Sequence, residues 1–331
     1  MGLKNLIITK TPLRMSYVGG GSDLSSYYRE FGGAVISTAI NHYIYVLVKP
    51  RFENGIRLSY SKTENVSCRE EIEHPLVRNA LSMLEIDESI EIVSTADIPS
   101  TGTGLGSSSS FSVGLIRALS AFRGEVLSDR VCAELACKLE IELCESPIGK
   151  QDQYAASFGG LKVYKFNQDD SVSVESIACN KNTIAELNNQ TLAFYIGGDR
   201  NANEILRQQS VDLQKANKAS GMARMVDLVW DLKCELESQS VENLGPILHE
   251  NWLIKRDLSS GVSNSLIDEM YAQALACGAS GGKLLGAGGG GFMIFHAANE
   301  FIRSKIRARF SKLREVPFEV EQSGSSVIFY Q

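Results

Sequence analysis

The chain has 331 residues, of which 44% are hydrophobic and 22% charged, and its formal net charge is −6. This composition is typical of a folded globular protein, and the length is sufficient for two packed domains. The acidic balance and the lack of a basic block argue against nucleic acid as a partner, and no apolar run is long enough to cross a bilayer.

The seven cysteines and four histidines show no spacing typical of a metal site or a redox pair. There is no C-x-x-C pair and no H-E-x-x-H run, which argues against zinc. We therefore predict that the cysteines are small buried side chains in a reducing environment. The first ten residues do not have the pattern of a signal peptide, and we expect a cytoplasmic protein.

Strand and helix patterns are mixed in the first half of the chain. Strands are predicted over residues 6–9, 34–39, 43–49 and 90–95, and loops over residues 11–23 and 99–110. Apolar residues at helical spacing then predict a helix from Phe111 to a stop at Gly124. A second helix is predicted from the N-cap Ser128 towards Glu145. Its expected apolar row is Val131, Leu135, Leu139 and Leu143.

The second half is mainly helical in its pattern. Four successive helices are predicted, over residues 202–218, 219–238, 242–257 and 265–277. A glycine cluster over residues 281–291 leads into a predicted strand at 292–296. A helix over residues 300–314 and two short strands complete the prediction. Asparagines cluster and apolar density falls over residues 176–189, so we divide the chain into domains 1–180 and 181–331.

The run P-S-T-G-T-G-L-G-S-S-S-S, residues 99–110, predicts a polyphosphate-binding loop. Gly102, Gly104 and Gly106 allow a tight turn and a close approach of backbone to ligand. The helix that follows directs its free N–H groups and its positive dipole end at the loop. The Walker A pattern requires Lys after the last glycine, and the dinucleotide fingerprint requires a third glycine at residue 107. Neither is met; a flexible linker remains the alternative.

One acid stands out on the second predicted helix. Glu140 shares an i, i+4 row with Cys132, Ala136 and Cys144, whereas Glu142 lies on the charged face. Glu140 is therefore expected to be the acid nearest the buried side. The alternative role for Glu140 is a half-buried acid paired with a cation.

These motifs identify the chain as a member of the GHMP kinase family (galactokinase, homoserine kinase, mevalonate kinase, phosphomevalonate kinase). Residues 99–109 resemble the family's central P-x-x-x-G-L-G-S-S motif, with one extra residue after the proline. Residues 278–291 are similar to its C-terminal glycine loop. The resemblance implies ATP as donor and Mg²⁺ bound by Ser108 and Glu140. The residues it implies at the ATP phosphates are Gly102, Gly104, Leu105, Gly106, Ser107, Ser108, Ser109, Gly288 and Gly289.

Two further segments resemble galactokinases. In residues 11–23, Arg14, Gly19 and Asp23 match the Arg, the first Gly and the Asp of R-V-N-L-I-G-E-H-T-D, and residues 149–160 resemble the G-I-M-D-Q run. By resemblance Asp152 is the catalytic base, deprotonating or only orienting the acceptor hydroxyl, and Arg14 stabilises the transferring oxygens. The implied sugar-binding residues are Arg14, Gly20, Gly21, Ser22, Asp23, Lys150, Asp152 and Arg200. The alternatives are a glycine-rich turn with a surface ion pair at 11–23 and a solvated turn acid at Asp152.

The resemblance implies a two-domain α/β (α+β) fold. Its N-terminal domain is expected to be of the ribosomal protein S5 domain 2-like type, and its C-terminal domain ferredoxin-like. Two glycines, Gly20 and Gly21, replace a Glu-His pair, which suggests an extended substrate. Within the family, residues 11–23, residues 149–160 and the chain length look most like those of kinases of D-glycero-D-manno-heptose 7-phosphate that act on the anomeric hydroxyl. Candidate cations for the substrate phosphate are Lys10, Lys150, Arg200 and Arg207.

Two alternatives remain from the sequence. One is a family kinase for another sugar, such as fucose or galactose. The other is a non-catalytic sensor of sugar and ATP, although Arg14, Glu140 and Asp152 are intact. We expect a small-molecule sugar phosphate as partner and neither nucleic acid nor membrane. The oligomeric state stays open, with a homodimer as one option.

Overall fold

The computed structural model describes residues 6–87, 89–99, 102–197, 202–213 and 216–331. The strands of these ranges are β1 (Ile7–Val18), β2 (Gly33–Pro50), β3 (Ile56–Ser59), β4 (Thr63–Val66), β5 (Ile90–Ala96), β6 (Leu161–Phe166), β7 (Val172–Ser176), β8 (Thr191–Gly197), β9 (Gly281–Leu284), β10 (Gly291–His296), β11 (Arg314–Glu315) and β12 (Ser326–Tyr330).

The helices of the same ranges are α1 (Ser25–Phe31), α2 (Pro75–Met83), α3 (Ser107–Phe122), α4 (Asp129–Cys137), α5 (Gln151–Phe158), α6 (Lys181–Gln190), α7 (Ala202–Asp212), α8 (Ala216–Glu237), α9 (Leu244–Leu258), α10 (Ser265–Ala276) and α11 (Glu300–Arg309). A 3-10 turn spans Arg69–Glu71, and a π-helix over Lys138–Leu143 continues α4. Ser128 caps α4 as predicted, because its hydroxyl accepts a hydrogen bond from the backbone N–H of Val131.

The strands form two sheets. The larger has the order β12-β1-β2-β5-β3-β4, and β6 pairs with β2 and with β7. The 18-residue β2 pairs with β6 through its first residues and with β5 through its last residues. The smaller sheet is antiparallel, with the order β11-β8-β10-β9. Helices α3, α5 and α8 pack on β1 and β2, and α9 packs on β9.

Strand β1 corrects the predicted loop at residues 11–23, because it continues to Val18. Its second half is buried although it contains Arg14 and Ser16, so these polar side chains obscured the strand pattern. The two strands predicted at 34–39 and 43–49 are likewise one strand, β2. As a consequence Arg14 lies on a buried strand, and only residues after Val18 form a loop.

The predicted apolar row after Ser128 is wrong at both ends. Val131 and Leu143 are 41% and 42% exposed, whereas Leu139 is buried. The more buried row is Cys132, Ala136 and Glu140. Beyond Cys137 the backbone becomes π-helical, with the N–H of Cys144 bonded to the carbonyl of Leu139. The wider π turn changes the direction of the side chains that follow it.

The cysteine prediction holds only in part. All seven thiols are free; Cys132 and Cys137 are buried, but Cys68 and Cys234 are exposed. Among the described residues, no helix has both the length and the apolar character that spanning a membrane requires.

The domain boundary proposed near residue 180 falls between β7 and α6. The seven strands before it all belong to the larger sheet, and the next strand, β8, belongs to the smaller one. The chain nevertheless returns to the larger sheet at its end, where β12 pairs antiparallel with β1. The smaller sheet contacts the larger through Lys283 of β9, whose ammonium donates to the carbonyls of Ser16 and Tyr17 in β1.

Candidate active site

A cavity of about 460 Å³ lies where the end of β1, the loop before α3, α5, α9 and the end of β9 meet. Most of the residues that the sequence predicted for a phosphate-transfer site line it. They are Arg14, Gly20, Gly21, Asp23, Gly102, Gly104, Gly106, Ser107, Ser108, Ser109, Glu140 and Asp152. The structure thus brings residues that are distant in sequence around one space.

The predicted phosphate loop has the conformation that its glycines allow. Gly102, Gly104 and Gly106 have φ angles of 71°, 75° and 72°, in the left-handed region that favours glycine. A Cβ at Gly104 would lie 2.5 Å from the carbonyl oxygen of Leu285, so a side chain does not fit there. Helix α3 begins at Ser107, and its first free N–H groups form an anion-binding end beside the cavity.

Arg14 and Asp152 form a bidentate ion pair within the cavity. The Nε and Nη2 atoms of Arg14 donate to the two carboxylate oxygens of Asp152 at 2.6 and 2.7 Å. The remaining terminal nitrogen, Nη1, donates to the carbonyl of Gly104 at 2.6 Å. This fork geometry fixes the plane of the carboxylate. One guanidinium therefore joins the candidate base to the phosphate loop.

Asp23 is held in the turn that follows β1. Its carboxylate accepts hydrogen bonds from the backbone N–H of Gly21 at 3.0 Å and from the side chain of Gln151 at 3.1 Å. Burial raises the pKa of Asp23, and the charge of Asp152 raises it further. A Cβ at Gly149 would lie 1.9 Å from Asp23 Oδ2, so Gly149 leaves the room that this carboxylate occupies.

Ser108 and Glu140 meet at the cavity wall. The Ser108 hydroxyl donates to Glu140 Oε1 at 2.9 Å, and the Gln153 amide donates to Oε2 at 2.6 Å. Burial raises the pKa of Glu140 to about 7, against the opposing effect of hydrogen bonds from Ser109, Gln153 and Ser108. No cation among the described residues forms an ion pair with this buried carboxylate, which suits a bound cation that would keep it ionised.

This pair fits Mg²⁺ in its chemistry. A carboxylate and a hydroxyl are hard oxygen ligands, and Mg²⁺ completes its octahedron with waters and substrate phosphates. The described residues contain no cluster of three or more His, Cys, Asp or Glu side chains suited to a metal. Two protein ligands next to a phosphate loop are compatible with an ion that arrives with a nucleotide.

Several predicted residues lie outside the cavity lining. Leu105 is buried, and its carbonyl accepts from the backbone N–H of Arg14 at 3.0 Å. The Ser22 hydroxyl donates to the carbonyl of Ala34 and accepts from its N–H, which leaves it no free proton for a sugar. Gly289 donates its N–H to the carbonyl of Val262, and a Cβ at Gly288 would lie 2.6 Å from Val262 Cα. In that loop Gly286 and Ala287 line the cavity instead.

The predicted substrate-phosphate cations are dispersed. Lys150 pairs with Asp170 beside a second cavity of about 400 Å³. Lys10 lies over the ring of Tyr43, and Arg207 is exposed on α7. Arg200 lies outside the described residues.

Two lysines at the cavity were given no role from the sequence. Lys255 on α9 donates to the carbonyl of Gly286, and burial lowers its pKa to about 8. Burial also lowers the pKa of Lys283 well below its usual range. The sequence could have indicated Lys255, because it lies at helical spacing in the buried row of α9. Two of the five residues in that row are polar, which is unusual for a buried face; the row is Leu244, Leu248, Asn251, Lys255 and Leu258. Asn251 accepts from the backbone N–H of Gly19 at 3.1 Å.

Comparison with known proteins gives two family matches. Residues 75–160 match the GHMP kinases N terminal domain, and residues 232–312 match the GHMP kinases C terminal domain. A D-glycero-alpha-D-manno-heptose 7-phosphate kinase of Campylobacter jejuni is 31% identical over 304 residues, which are 87% of this chain and 88% of that protein. A bifunctional fucokinase/GDP-fucose pyrophosphorylase of Arabidopsis thaliana is 26% identical over 93% of this chain and 31% of its own length.

A solved structure shares the fold. The crystal structure of a D-glycero-D-manno-heptose 1-phosphate kinase from Bacteroides thetaiotaomicron superposes with a TM-score of 0.81, covering 98% of this chain and 99% of that one. The two chains are 24% identical, so this similarity concerns the architecture.

Proposed function

Since the chain belongs to the GHMP kinase family and is an ATP-dependent sugar kinase, we propose that its acceptor is D-glycero-D-manno-heptose 7-phosphate. In this proposal the anomeric C1 hydroxyl is phosphorylated, and the 1,7-bisphosphate serves the synthesis of nucleotide-activated heptose. The reaction takes place in the cytoplasm, where ATP is available. The heptose 7-phosphate kinase that is 31% identical over 87% of the chain supports this choice.

One observation carries the mechanism: the Arg14 guanidinium contacts both carboxylate oxygens of Asp152 and the Gly104 carbonyl. The group that would receive or orient the hydroxyl proton is therefore adjacent to the loop that would hold the triphosphate. In-line transfer requires this proximity, because the reacting oxygen and phosphorus must meet at about 3–3.5 Å.

In the transfer step, the sugar oxygen forms a bond to the γ-phosphorus and the bond to the ADP oxygen breaks. Asp152 orients the hydroxyl and accepts its proton as the new bond forms. Arg14 and the α3 N-terminus offer donors to the phosphoryl oxygens, where charge accumulates in a loose transition state. Mg²⁺ at Ser108 and Glu140 would neutralise phosphate charge when bound. The Asp23 carboxylate can accept hydrogen bonds from hydroxyl groups of the sugar.

Of the two glycines at the acceptor end of the cavity, Gly20 and Gly21, one leaves space for an extended sugar. A Cβ at Gly20 would meet the Ser16 hydroxyl at 3.4 Å, which is ordinary contact. Gly21 has a φ of 105°, and its Cβ would lie 2.7 Å from the Gln209 amide. The open space is thus at Gly20, whereas Gly21 is required by its backbone conformation. Asp23 and Ile148 line both this cavity and the one that contains Lys150, so the two cavities are neighbours, and Lys150 is the predicted cation nearest to a phosphate tail on that side.

The test is a panel of acceptors in a coupled ADP-release assay. The panel contains heptose 7-phosphate, heptose 1-phosphate, unphosphorylated heptose, L-fucose and D-galactose. It includes both heptose phosphates because the two similar kinases are named for different ones. We expect heptose 7-phosphate to give the highest kcat/KM and ³¹P NMR to place the new phosphate on C1.

The Asp152→Asn variant is the background control in each arm. A clear preference for heptose 1-phosphate, fucose or galactose would overturn the substrate assignment and leave the sugar kinase activity in place. Absence of turnover with every sugar, despite ATP binding, would favour a sensor.

A further inference from the structure

The Lys255 ammonium is a buried cation facing the candidate active site. The residue is 5% exposed and lines the cavity from the last turn of α9. Within the described part of the chain its nitrogen has one hydrogen-bond partner, the carbonyl of Gly286, and no carboxylate ion-pairs with it. A lysine ammonium has three N–H donors, so two remain for a ligand.

Its position is on the phosphate side of the cavity. A Cβ at Gly286 would lie 2.5 Å from the Cα of Gly104, so the carbonyl partner of Lys255 belongs to a segment packed on the phosphate loop. Arg14 donates to the carbonyl of that same Gly104. The charges of Arg14, Asp23 and Asp152 all act on the Lys255 ammonium, which places it among the groups of the proposed transfer step.

Burying an unpaired ammonium is energetically unfavourable, and such groups are concentrated at functional sites. The neighbouring Lys283 differs, because its ammonium donates at 2.9 Å to two carbonyls of β1 and so serves to position that strand. Over the ranges that the structure describes, Lys255 has only the carbonyl of Gly286 as a partner. Its free donors point to an anionic ligand that is absent from the protein alone.

On the basis of the proposed kinase activity, we propose that Lys255 is a catalytic residue that, together with Arg14, binds the non-bridging oxygens of the phosphoryl group during transfer. It approaches from α9, so the two cations would contact the group from different elements. The phosphate tail of the sugar is the competing source of anionic oxygens, and the two sources predict different kinetics. A contact made in transfer lowers kcat when removed, whereas a tail contact raises KM for phosphorylated sugars alone.

The experiment compares Lys255→Met with Arg256→Met, which removes the neighbouring cation on the same helix. Arg256 lies beside Asp257 and Asp268 and does not line the cavity. Both variants are assayed with the sugar that the wild type uses best, so an error in the heptose assignment leaves this test intact. A phosphorylated and an unphosphorylated acceptor are compared, so that a KM effect confined to phosphorylated sugars can be recognised. The readouts are kcat, KM for the sugar, Kd for ATP, and the affinity for ADP with aluminium fluoride, a mimic of the transferring group.

For Lys255→Met we expect kcat to fall by about 10²–10³-fold, the range for removal of one transition-state donor. The affinity for ADP with aluminium fluoride should fall by a similar factor, while Kd for ATP and KM change by less than about 5-fold. Arg256→Met should match the wild type. A kcat within about 3-fold of wild type overturns the proposal, as does a rise in KM confined to phosphorylated sugars. The proposal would also be overturned if the variant lost affinity for ATP and for ADP with aluminium fluoride by the same factor. Such a result would indicate that Lys255 only holds the Gly286 segment in place.

Discussion

Replacing Lys255 by Met should stabilise the protein without ligands at neutral pH. Burial lowers the pKa of Lys255 from 10.5 to about 8. A shift of roughly 2.5 units at 1.36 kcal/mol each means that keeping this side chain protonated in the folded state costs about 3 kcal/mol. Met has a similar volume, and the lost hydrogen bond to Gly286 offsets about 1 kcal/mol. The net expectation is a gain of about 2 kcal/mol in the free energy of unfolding at pH 7.

The stability difference between Lys255→Met and the wild type should depend on pH. Because the folded-state pKa lies below the unfolded-state value, the penalty is fully present below about pH 8 and disappears as the pH rises towards 10.5. The advantage of the Met variant should therefore shrink by about 2 kcal/mol between pH 7 and pH 10. The other charges that act on Lys255, those of Arg14, Asp23 and Asp152, are the same in both proteins.

The measurement is urea unfolding of wild type, Lys255→Met and Arg256→Met at pH 7, 8.5 and 10, without nucleotide or sugar. The Arg256 variant should show a pH-independent difference of at most about 1 kcal/mol, since its surface ion pairs contribute little. A Met variant less stable than the wild type at pH 7, by an amount that does not change with pH, would refute the reasoning. Lys255 would then be a structural residue.

Three further predictions concern the other site residues. Asp152→Asn should lower kcat by about 10²–10⁴-fold and leave ATP affinity unchanged; wild-type turnover in the coupled assay would remove Asp152 from the mechanism. Glu140→Gln should raise the Mg²⁺ concentration needed for half-maximal activity, whereas Glu142→Gln, on the exposed side, should not; a larger effect at Glu142 would contradict the assignment. Gly20→Glu should weaken binding of the sugar phosphate, because like charges meet in a poorly solvated cavity, whereas Gly20→Ala should have a small effect. Calorimetric titration measures the affinities of each variant for sugar phosphate and for ATP, and an unchanged sugar-phosphate affinity in the Glu variant would count against this acceptor site.

The local sequence was sufficient to predict the phosphate loop and to recognise the family. The three alternating glycines and the following helix occupy consecutive positions, so their geometry follows from the chain itself. The predicted two-domain GHMP kinase fold and the sugar kinase activity are confirmed by the family matches and by the 31% identical relative. The site assignments, the domain boundary and Mg²⁺ remain predictions, although the structure places Ser108 beside Glu140 and Arg14 beside Asp152.

Periodicity misled the interpretation where buried positions carry polar residues. Residues 11–18 belong to β1 and not to the predicted loop, and this buried half of the strand carries the polar residues Arg14 and Ser16. In the predicted apolar row after Ser128, the exposed Leu143 has a different cause, since the π-helix at Lys138–Leu143 departs from the 3.6-residue repeat. Val131, also exposed, lies before the π-helix in α4.

The sequence by itself determined the elements whose chemistry lies within one segment: the glycine loop with its helix, the Arg14 and Asp152 motifs, and the buried side of Glu140. Only the tertiary structure decided which of these residues share a cavity, that Gly20 is open whereas Gly21 is not, and that Lys255 lines the same cavity. The physical reason is that burial and charge interactions depend on packing between α9, β1 and the two glycine loops, which are far apart in the chain. Spacing along one helix can mark Lys255 as a buried cation, but only that packing brings it to the carbonyl of Gly286, whose backbone packs on Gly104.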